Sequence, residues 1–350
     1  MLKYCLTPYT FGPTVFLPMI RRFFLLLVLL APLNADEVRH PLLKEAVWHP
    51  LRLSCSYFNV IRSPAEYELW LTAPGLSEDR VIAMEGGNLQ VLKPTRKALS
   101  SAIVSENFLN MGERKHPILS RASVTKLPDG RYGALAVVGP RDNGRDSELF
   151  PALFVSSDGK RRNWEHLGPP KGEPSAWLKN QKHAGRTVRS EGGSLVLTPD
   201  GNLRMYVHGY GNQVCMAEAR DIGGPWKFFR DRKGTIIDLA NQLPSGGQWL
   251  FPHVIRLGKG YLLTGGHQWP TKELWAAVSE DGNKFSYAGG FKSPLVLSGE
   301  ITGKEPGFKI LRAMHDTKTR EVILLTNIWT GKGYDIYGTR VPYDKQLWFK

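Results

Sequence analysis

From about residue 50 to the C-terminus, short apolar runs rich in Val, Leu, Ile, Tyr and Trp alternate with polar breaks built from Gly, Asp, Asn and Pro. Runs of this length bounded by turn formers predict β-strands, and the sustained 3.6-residue period of a long amphipathic helix is missing. One unit recurs. "ASVTKLPDGRYGALAVVG", "GSLVLTPDGNLRMYVHG", "PHVIRLGKGYLLTGGH" and "RAMHDTKTREVILLTN" each read as strand, tight turn, strand, and "CSYFNVIRSPAEYELWLTA" is a more divergent copy ahead of them. A polar loop and a third apolar strand follow each pair ("PALFVSSDG", "VCMAEARD", "LWAAVSEDG", "YDIYGTR"), and most copies add a fourth. Repetition of four-stranded antiparallel units predicts an all-β fold, a five-bladed β-propeller that leaves only short, protected sheet edges. The blades would begin near Leu53, Ser120, Ser190, Trp249 and Lys309.

The turns sort into two kinds by position. "SSDGKRRNW" and "SEDGNKF" carry Ser, Asp-Gly and an aromatic, and "ARDIGGPW" fills the same slot with Asp221, Gly223, Gly224, Pro225 and Trp226. Asp there accepts backbone N–H bonds, Gly takes a positive φ and the aromatic packs between sheets, so these aspartates are expected to be structural. Because the first strand of a blade runs along the axis and the second returns, the start of strand one and the loop between strands two and three share one face. Arg121, Glu191, His253, Arg312 and His315 are expected at strand starts on that first face. Its loops read "GPRDNGRDSELF", "HGYGNQ", "GHQWPTKE" and "NIWTGKGYD", and are rich in Arg, Asp, His, Gln, Trp and Tyr. Aromatic rings flanked by hydrogen-bonding groups suit a sugar, whose apolar faces stack while its hydroxyls need partners.

Ahead of the repeats, Met19-Ile20-Arg21-Arg22 precedes "FFLLLVLLAPLNA", a positive segment, an apolar run and a small residue at Ala35. This predicts an N-terminal extension and signal peptide over 1–35, a single propeller domain over 36–350, and a secreted or periplasmic protein with no stable membrane span after cleavage. Met19 would serve as initiator. The chain has 350 residues, 42% hydrophobic and 22% charged, which suits a globular protein with a large core. Its formal charge of +14 is dispersed along the sequence and no helix-turn-helix, zinc-finger or stacking-sheet motif accompanies it, so nucleic acid is not the expected partner. An acidic glycan would suit the charge, as would a plain solvated basic surface. Cys55 and Cys215 follow the leader and are expected as two buried thiols. No tight ligand spacing marks a metal site and no cofactor is expected.

The chain from about residue 50 onward resembles the five-bladed β-propeller glycosidases, the superfamily of glycoside hydrolase families 32, 43 and 117. "SEGGSLVLTPDGNLRMYVHGYGNQVCMAEARDIGGPW" looks like the blade in which a Glu opening the inner strand is the general acid, which by resemblance is Glu191. Families 32 and 43 open their first blade with a base Asp, and here that neighbourhood reads "LRLSCSYFN", without a carboxylate. "SRASVTKLPDGRYGALAVVGPRDNGRDSELFPALFVSSDG" is similar to the opening of sialidases, whose blades carry the Ser-Asp-Gly-aromatic turn. That resemblance implies Arg121 as a carboxylate binder, Asp146 as proton donor and Tyr334 as nucleophile with Glu191 as its base, although sialidases have six blades.

Glycoside hydrolysis usually requires two carboxyl groups with pKa values pushed apart. Glu191 and Asp146 are the candidate pair, with Asp142 in reserve. Arg121, His208, Trp249, His253, His267, Trp269, Arg312 and Tyr334 are the candidate substrate-binding residues, and Trp329 is a further ring for stacking. Three readings stand open: a glycoside hydrolase with Glu191 as acid, a non-catalytic carbohydrate-binding propeller, and a sialidase-like exo-glycosidase using Arg121 and Tyr334.

Overall fold

The computed structural model describes residues 39–54, 57–62, 67–72, 80–85, 93–94, 117–140, 150–159, 164–174, 182–183, 186–187, 193–208, 213–242, 249–267, 271–304 and 306–350. His40–Lys350 forms one compact unit. The first strand, β1 (His49–Ser54), does not open the first blade. The first sheet is β2 (Tyr57–Arg62), β3 (Tyr67–Thr72), β4 (Arg80–Glu85) and β5 (Lys93–Pro94), and the second is β6 (Pro117–Lys126), β7 (Tyr132–Pro140), β8 (Phe150–Ser156) and β9 (Trp164–Gly168). A two-stranded ribbon, β10 (Lys182–His183) with β11 (Arg186–Thr187), precedes the third sheet. That sheet holds β12 (Gly193–Leu197), β13 (Leu203–His208), β14 (Val214–Ala219) and β15 (Lys227–Phe228). Next come β16 (Trp249–Leu257), β17 (Gly260–His267), β18 (Glu273–Ser279), β19 (Ser286–Tyr287) and β20 (Val296–Leu297), joined in a five-stranded sheet. The last sheet is β21 (Phe308–Asp316), β22 (Glu321–Trp329) and β23 (Tyr334–Pro342), with β1 on its outer edge.

The architecture is an all-β propeller with four-stranded antiparallel blades, and two expectations are corrected in detail. Five four-stranded blades were expected, whereas four sheets have four strands and the sheet begun by β16 has five. The cause lies in its outer lane. β17 occupies one edge of β18, so β19 on Ala277 and Val278 and β20 on Glu273 and Leu274 share the other edge end to end. The second correction concerns Leu53, expected to begin the first blade. It belongs to β1, which pairs with the last strand of the chain through His49↔Gly338, Pro50↔Tyr337 and Ser54↔Asp335. A strand's partner is set by long-range packing, which local patterning does not encode.

The inner strands adjoin one another in the order β2, β6, β12, β16, β21 and back to β2. Apolar clusters fill the wedges between successive sheets. Leu135, Leu153, Leu195, Met205 and Trp226 pack between the second and third sheets, and Val196, Tyr206, Leu263 and Trp275 between the third and the next. Leu262, Leu311, Leu324 and Trp348 form the cluster beside the last sheet, into which Leu43 of the N-terminal segment inserts. Trp348 is fully buried in the short helix α1 (Lys345–Trp348) and pins the C-terminus there.

Candidate functional site

Three inner strands share one irregularity near their first-face ends. Register slips by one residue between Ser120 and Ser123 in β6, Leu250 and His253 in β16, and Phe308 and Leu311 in β21. Such bulges bend a strand and re-aim the residues ahead of them. In the last blade the neighbouring strand satisfies the displaced backbone: Asn327 Oδ1 accepts from Ile310 N–H at 3.1 Å and Thr326 donates to the Ile310 carbonyl at 2.8 Å.

At three seams between neighbouring inner strands, one side chain bridges to the next strand. Ser123 Oγ accepts from Leu195 N–H at 3.1 Å, Ser194 Oγ from Val254 N–H at 2.8 Å, and His253 Nδ1 from Ala313 N–H at 3.4 Å. Ser123, Ser194, His253 and Arg312 are therefore equivalent positions, in mid-strand. Here the geometry corrects the expectation that His253 and Arg312 open their strands beside Arg121 and Glu191. Both are buried, and the Arg312 guanidinium donates to the Phe251 carbonyl at 3.0 Å and the Leu311 carbonyl at 3.2 Å. Burial, reinforced by the Arg312 charge, holds the His253 pKa well below the ordinary histidine value, so its ring is neutral and carries its proton on Nε2.

The remaining candidates divide by lane. Trp249 and His267 form a cross-strand pair of β16 and β17 at the first-face end, so the fold does bring these two together in its backbone. Arg121 lies within the β6 bulge. His208 is buried at the end of β13, opposite Val214. Tyr334 opens β23, two strand spacings or about 10 Å from the inner strand. Its ring lies 5.1 Å from that of Trp329. Glu191, Asp146, Asp142 and Trp269 lie outside the described residues.

His315 belongs to the opposite face. It pairs with Val322 near the end of β21, and its Nδ1 accepts from Gly258 N–H at 3.2 Å while its ring packs on Tyr343. Arg204, another cation at a strand position, is a clamp between blades: it pairs with Glu218 at 3.0 Å and donates to the Asp281 carbonyl at 2.7 Å. A cavity of about 240 Å³ opens among the inner strands, lined by Ser123, Lys126, His253, Arg256 and His315 among others.

The aspartate turns are structural, as their chemistry predicts. Ser279 donates to Asp281 at 2.9 Å and accepts from Gly282 N–H at 2.8 Å, while Asp281 accepts from the Asn283 and Lys284 amides. Desolvation opposes ionisation of Asp281, but these donors outweigh it and lower its pKa. Ser156, Asp158 and Gly159 repeat the arrangement, and Asp221 accepts from Gly223 N–H at 2.7 Å. The hairpin aspartates behave alike. Asp129 binds Arg131 at 2.7 Å and Asp200 is hydrogen-bonded by the Thr198 hydroxyl. Cys215 is a buried free thiol with its pKa raised by burial to about 12; Cys55 lies outside the described residues.

No family model matches the chain, and no curated protein matches it in sequence. Among solved structures it is similar to BT3683, a family 43 β-1,3-galactosidase bound to galactodeoxynojirimycin, at 11% identity and a TM-score of 0.56, over 84% of this chain and 92% of that one. Zg3597, a family 117 glycoside hydrolase from the marine bacterium Zobellia galactanivorans, aligns at 14% identity and a TM-score of 0.53, over 85% and 90%. The Bacillus subtilis arabinanase Arb43A aligns at 12% and 0.53, over 83% and 95%. Likeness at such identities places the chain in a fold class, the propellers that family 43 and family 117 glycoside hydrolases share.

Proposed function

We propose that the protein is a glycoside hydrolase of the five-bladed propeller type, acting on an oligosaccharide or polysaccharide held at the first face. Support for this reading comes from the inner strands β2, β6, β12, β16 and β21, each of which adjoins the next. The observation that carries the functional reading is the recurrent bulge ahead of the seam. In β6 and β16 it lies on the first-face side of Ser123 and His253, which with Ser194 bridge strand to strand in mid-strand. By the spacing of the repeats, Glu191 stands three positions before Ser194, as Ser120 stands before Ser123 and Leu250 before His253.

Glu191 then acts as general acid, protonating the departing glycosidic oxygen, and Asp146 supplies the second carboxylate. Arg121, Trp249 and His267 are proposed to bind the substrate, and the +14 charge favours an acidic sugar. Export through the 1–35 leader fits such a substrate. Arg312 is buried in mid-strand with its Nη1 donating to the Phe251 and Leu311 carbonyls, away from the first-face strand starts where a sialidase-like carboxylate clamp was expected, so the hydrolase reading with Glu191 is preferred.

A screen of the mature protein on β-1,3-linked galacto-oligosaccharides and on arabino-oligosaccharides, neutral and uronate-bearing, tests this beside Glu191→Gln. Turnover should fall by roughly 10²–10⁴-fold in the variant, with binding kept. Turnover equal to that of the native chain would remove Glu191 as the acid.

A further inference from the structure

Large exposed apolar side chains are few among the described residues, namely Val47, Phe291, Trp329 and Leu347. Trp329 is the one on the first face. It closes β22, with 43% of its surface exposed, and its amide donates to the Gly307 carbonyl at 2.9 Å, fixing it beside the start of the inner strand β21. Tyr334, its register partner, opens β23, and the two rings lie 5.1 Å apart at a tilt of 56°. A tight turn holds them. Thr330 N–H donates to the Gly333 carbonyl at 2.8 Å, and Gly331 takes a φ of 89° that a residue with a Cβ rarely adopts. Thr330 and Lys332 are exposed in the same turn.

An indole left two-fifths in water on a rigid hairpin costs hydration free energy unless something covers it. The cluster is too small for a protein interface, which buries about 800 Å² per partner. It does match one sugar ring, which offers an apolar face to an aromatic and hydroxyls to surrounding donors such as Lys332. Its lanes set the distance. With strands about 4.8 Å apart, Trp329 stands roughly 5 Å and Tyr334 roughly 10 Å outward from the inner strand. A saccharide unit there would be the third or fourth of a chain whose end sits at the first-face ends of the inner strands.

We infer that Trp329 and Tyr334 form an outlying stacking subsite, so that the ligand is an oligosaccharide of three or more units in place of a short glycoside. This rests on the proposed carbohydrate function. The test is calorimetric binding of the galacto- and arabino-oligosaccharide series, one to five units long, to the native chain, Trp329→Ala and Trp329→Phe. Affinity of the native chain should rise between two and four units. Trp329→Ala should abolish that rise, about ten-fold, while leaving mono- and disaccharide binding unchanged, and Trp329→Phe should restore part of it. A rise that survives in Trp329→Ala, or an equal loss at every length, would overturn the subsite while leaving the carbohydrate reading intact. A native chain that binds no member of any series would sink both.

Discussion

Two seams of the ring do the same mechanical work with different chemistry. Between β12 and β16 the bridge is a serine, Ser194 to Val254 N–H at 2.8 Å. Between β16 and β21 it is an imidazole, His253 to Ala313 N–H at 3.4 Å, with a second imidazole, His315, accepting from Gly258 N–H in the reverse direction. Both are acceptors fixed in the middle or end of an inner strand. A hydroxyl accepts at any pH, however, whereas an imidazole accepts only while neutral. The comparison teaches that geometric equivalence around a propeller does not imply equivalent behaviour: one seam is indifferent to protons and the other is tied to them.

The largest break in that comparison should come from His253. Replacing it by Ala leaves the Ala313 N–H buried without its acceptor and opens a cavity the size of the ring, which together cost about 2–4 kcal/mol in denaturant unfolding. His253→Asn keeps an acceptor and removes the proton, so it separates packing from titration. The folded-state pKa of His253 lies below its unfolded value because of burial and then the Arg312 charge. The unfolded chain therefore binds more protons below about pH 6.5, and stability is full above that point and falls as pH drops toward the folded pKa. One proton limits the slope to about 1.4 kcal/mol per pH unit. His315 and His40 are shifted the same way by burial, His40 to about 4, so the native profile sums several groups. The difference between native and His253→Asn profiles isolates one of them. Parallel profiles from pH 7.5 to 5 would show that the imidazole seam is as proton-blind as the serine one.

How much of this was legible beforehand follows from the range of each interaction. The hairpins at Asp129 and Asp200 and the turns at Asp158, Asp221 and Asp281 could be read because Asp and Gly satisfy a turn within a few residues. The four-strand repeat was legible for the same reason, period and punctuation being local. The seam was not. Ser123 and Leu195 are 72 positions apart, and a serine that bridges blades looks in sequence like any other strand serine. His253 and Arg312 read in sequence as the starts of their strands, and only the register reveals that they are set back from the rim in mid-strand. β1 was misplaced because an edge strand carries no mark of its partner. For the site itself, Trp249 opposite His267 was recoverable from the hairpin, whereas Trp329 with Tyr334 needed the exposure to distinguish it from the interior tryptophans Trp226 and Trp348.

A smaller effect should sharpen the serine side. Ser194→Ala removes the acceptor for Val254 N–H in a fully buried position and should cost about 1–2 kcal/mol. Only a hydroxyl's volume is lost, so the cavity contribution is minor. The cost should be the same at pH 7.5 and pH 5, because nothing in the bridge titrates. A pH-dependent cost would place a titrating group within reach of this seam and erase the contrast with β16 and β21.

The smallest effect concerns whether the seams are independent. Ser123 receives Leu195 N–H and Ser194 supplies the next bridge, so two bridges meet at adjacent residues of β12. If each only satisfies one buried amide, Ser123→Ala and Ser194→Ala should add to within about 0.5 kcal/mol. If β12 must be held from both sides to keep its place in the ring, loss of one bridge already lets the strand shift. The second loss then costs less, and the double variant is more stable than the sum of the single costs implies by more than that margin. Additivity is the expected outcome, because Leu195 and Val196 pack into separate wedges on either side of β12 and fix it without either bridge. A coupling above 0.5 kcal/mol in a double-mutant cycle would instead make the serine bridges, and not the wedges, the agents that set the spacing of the inner strands.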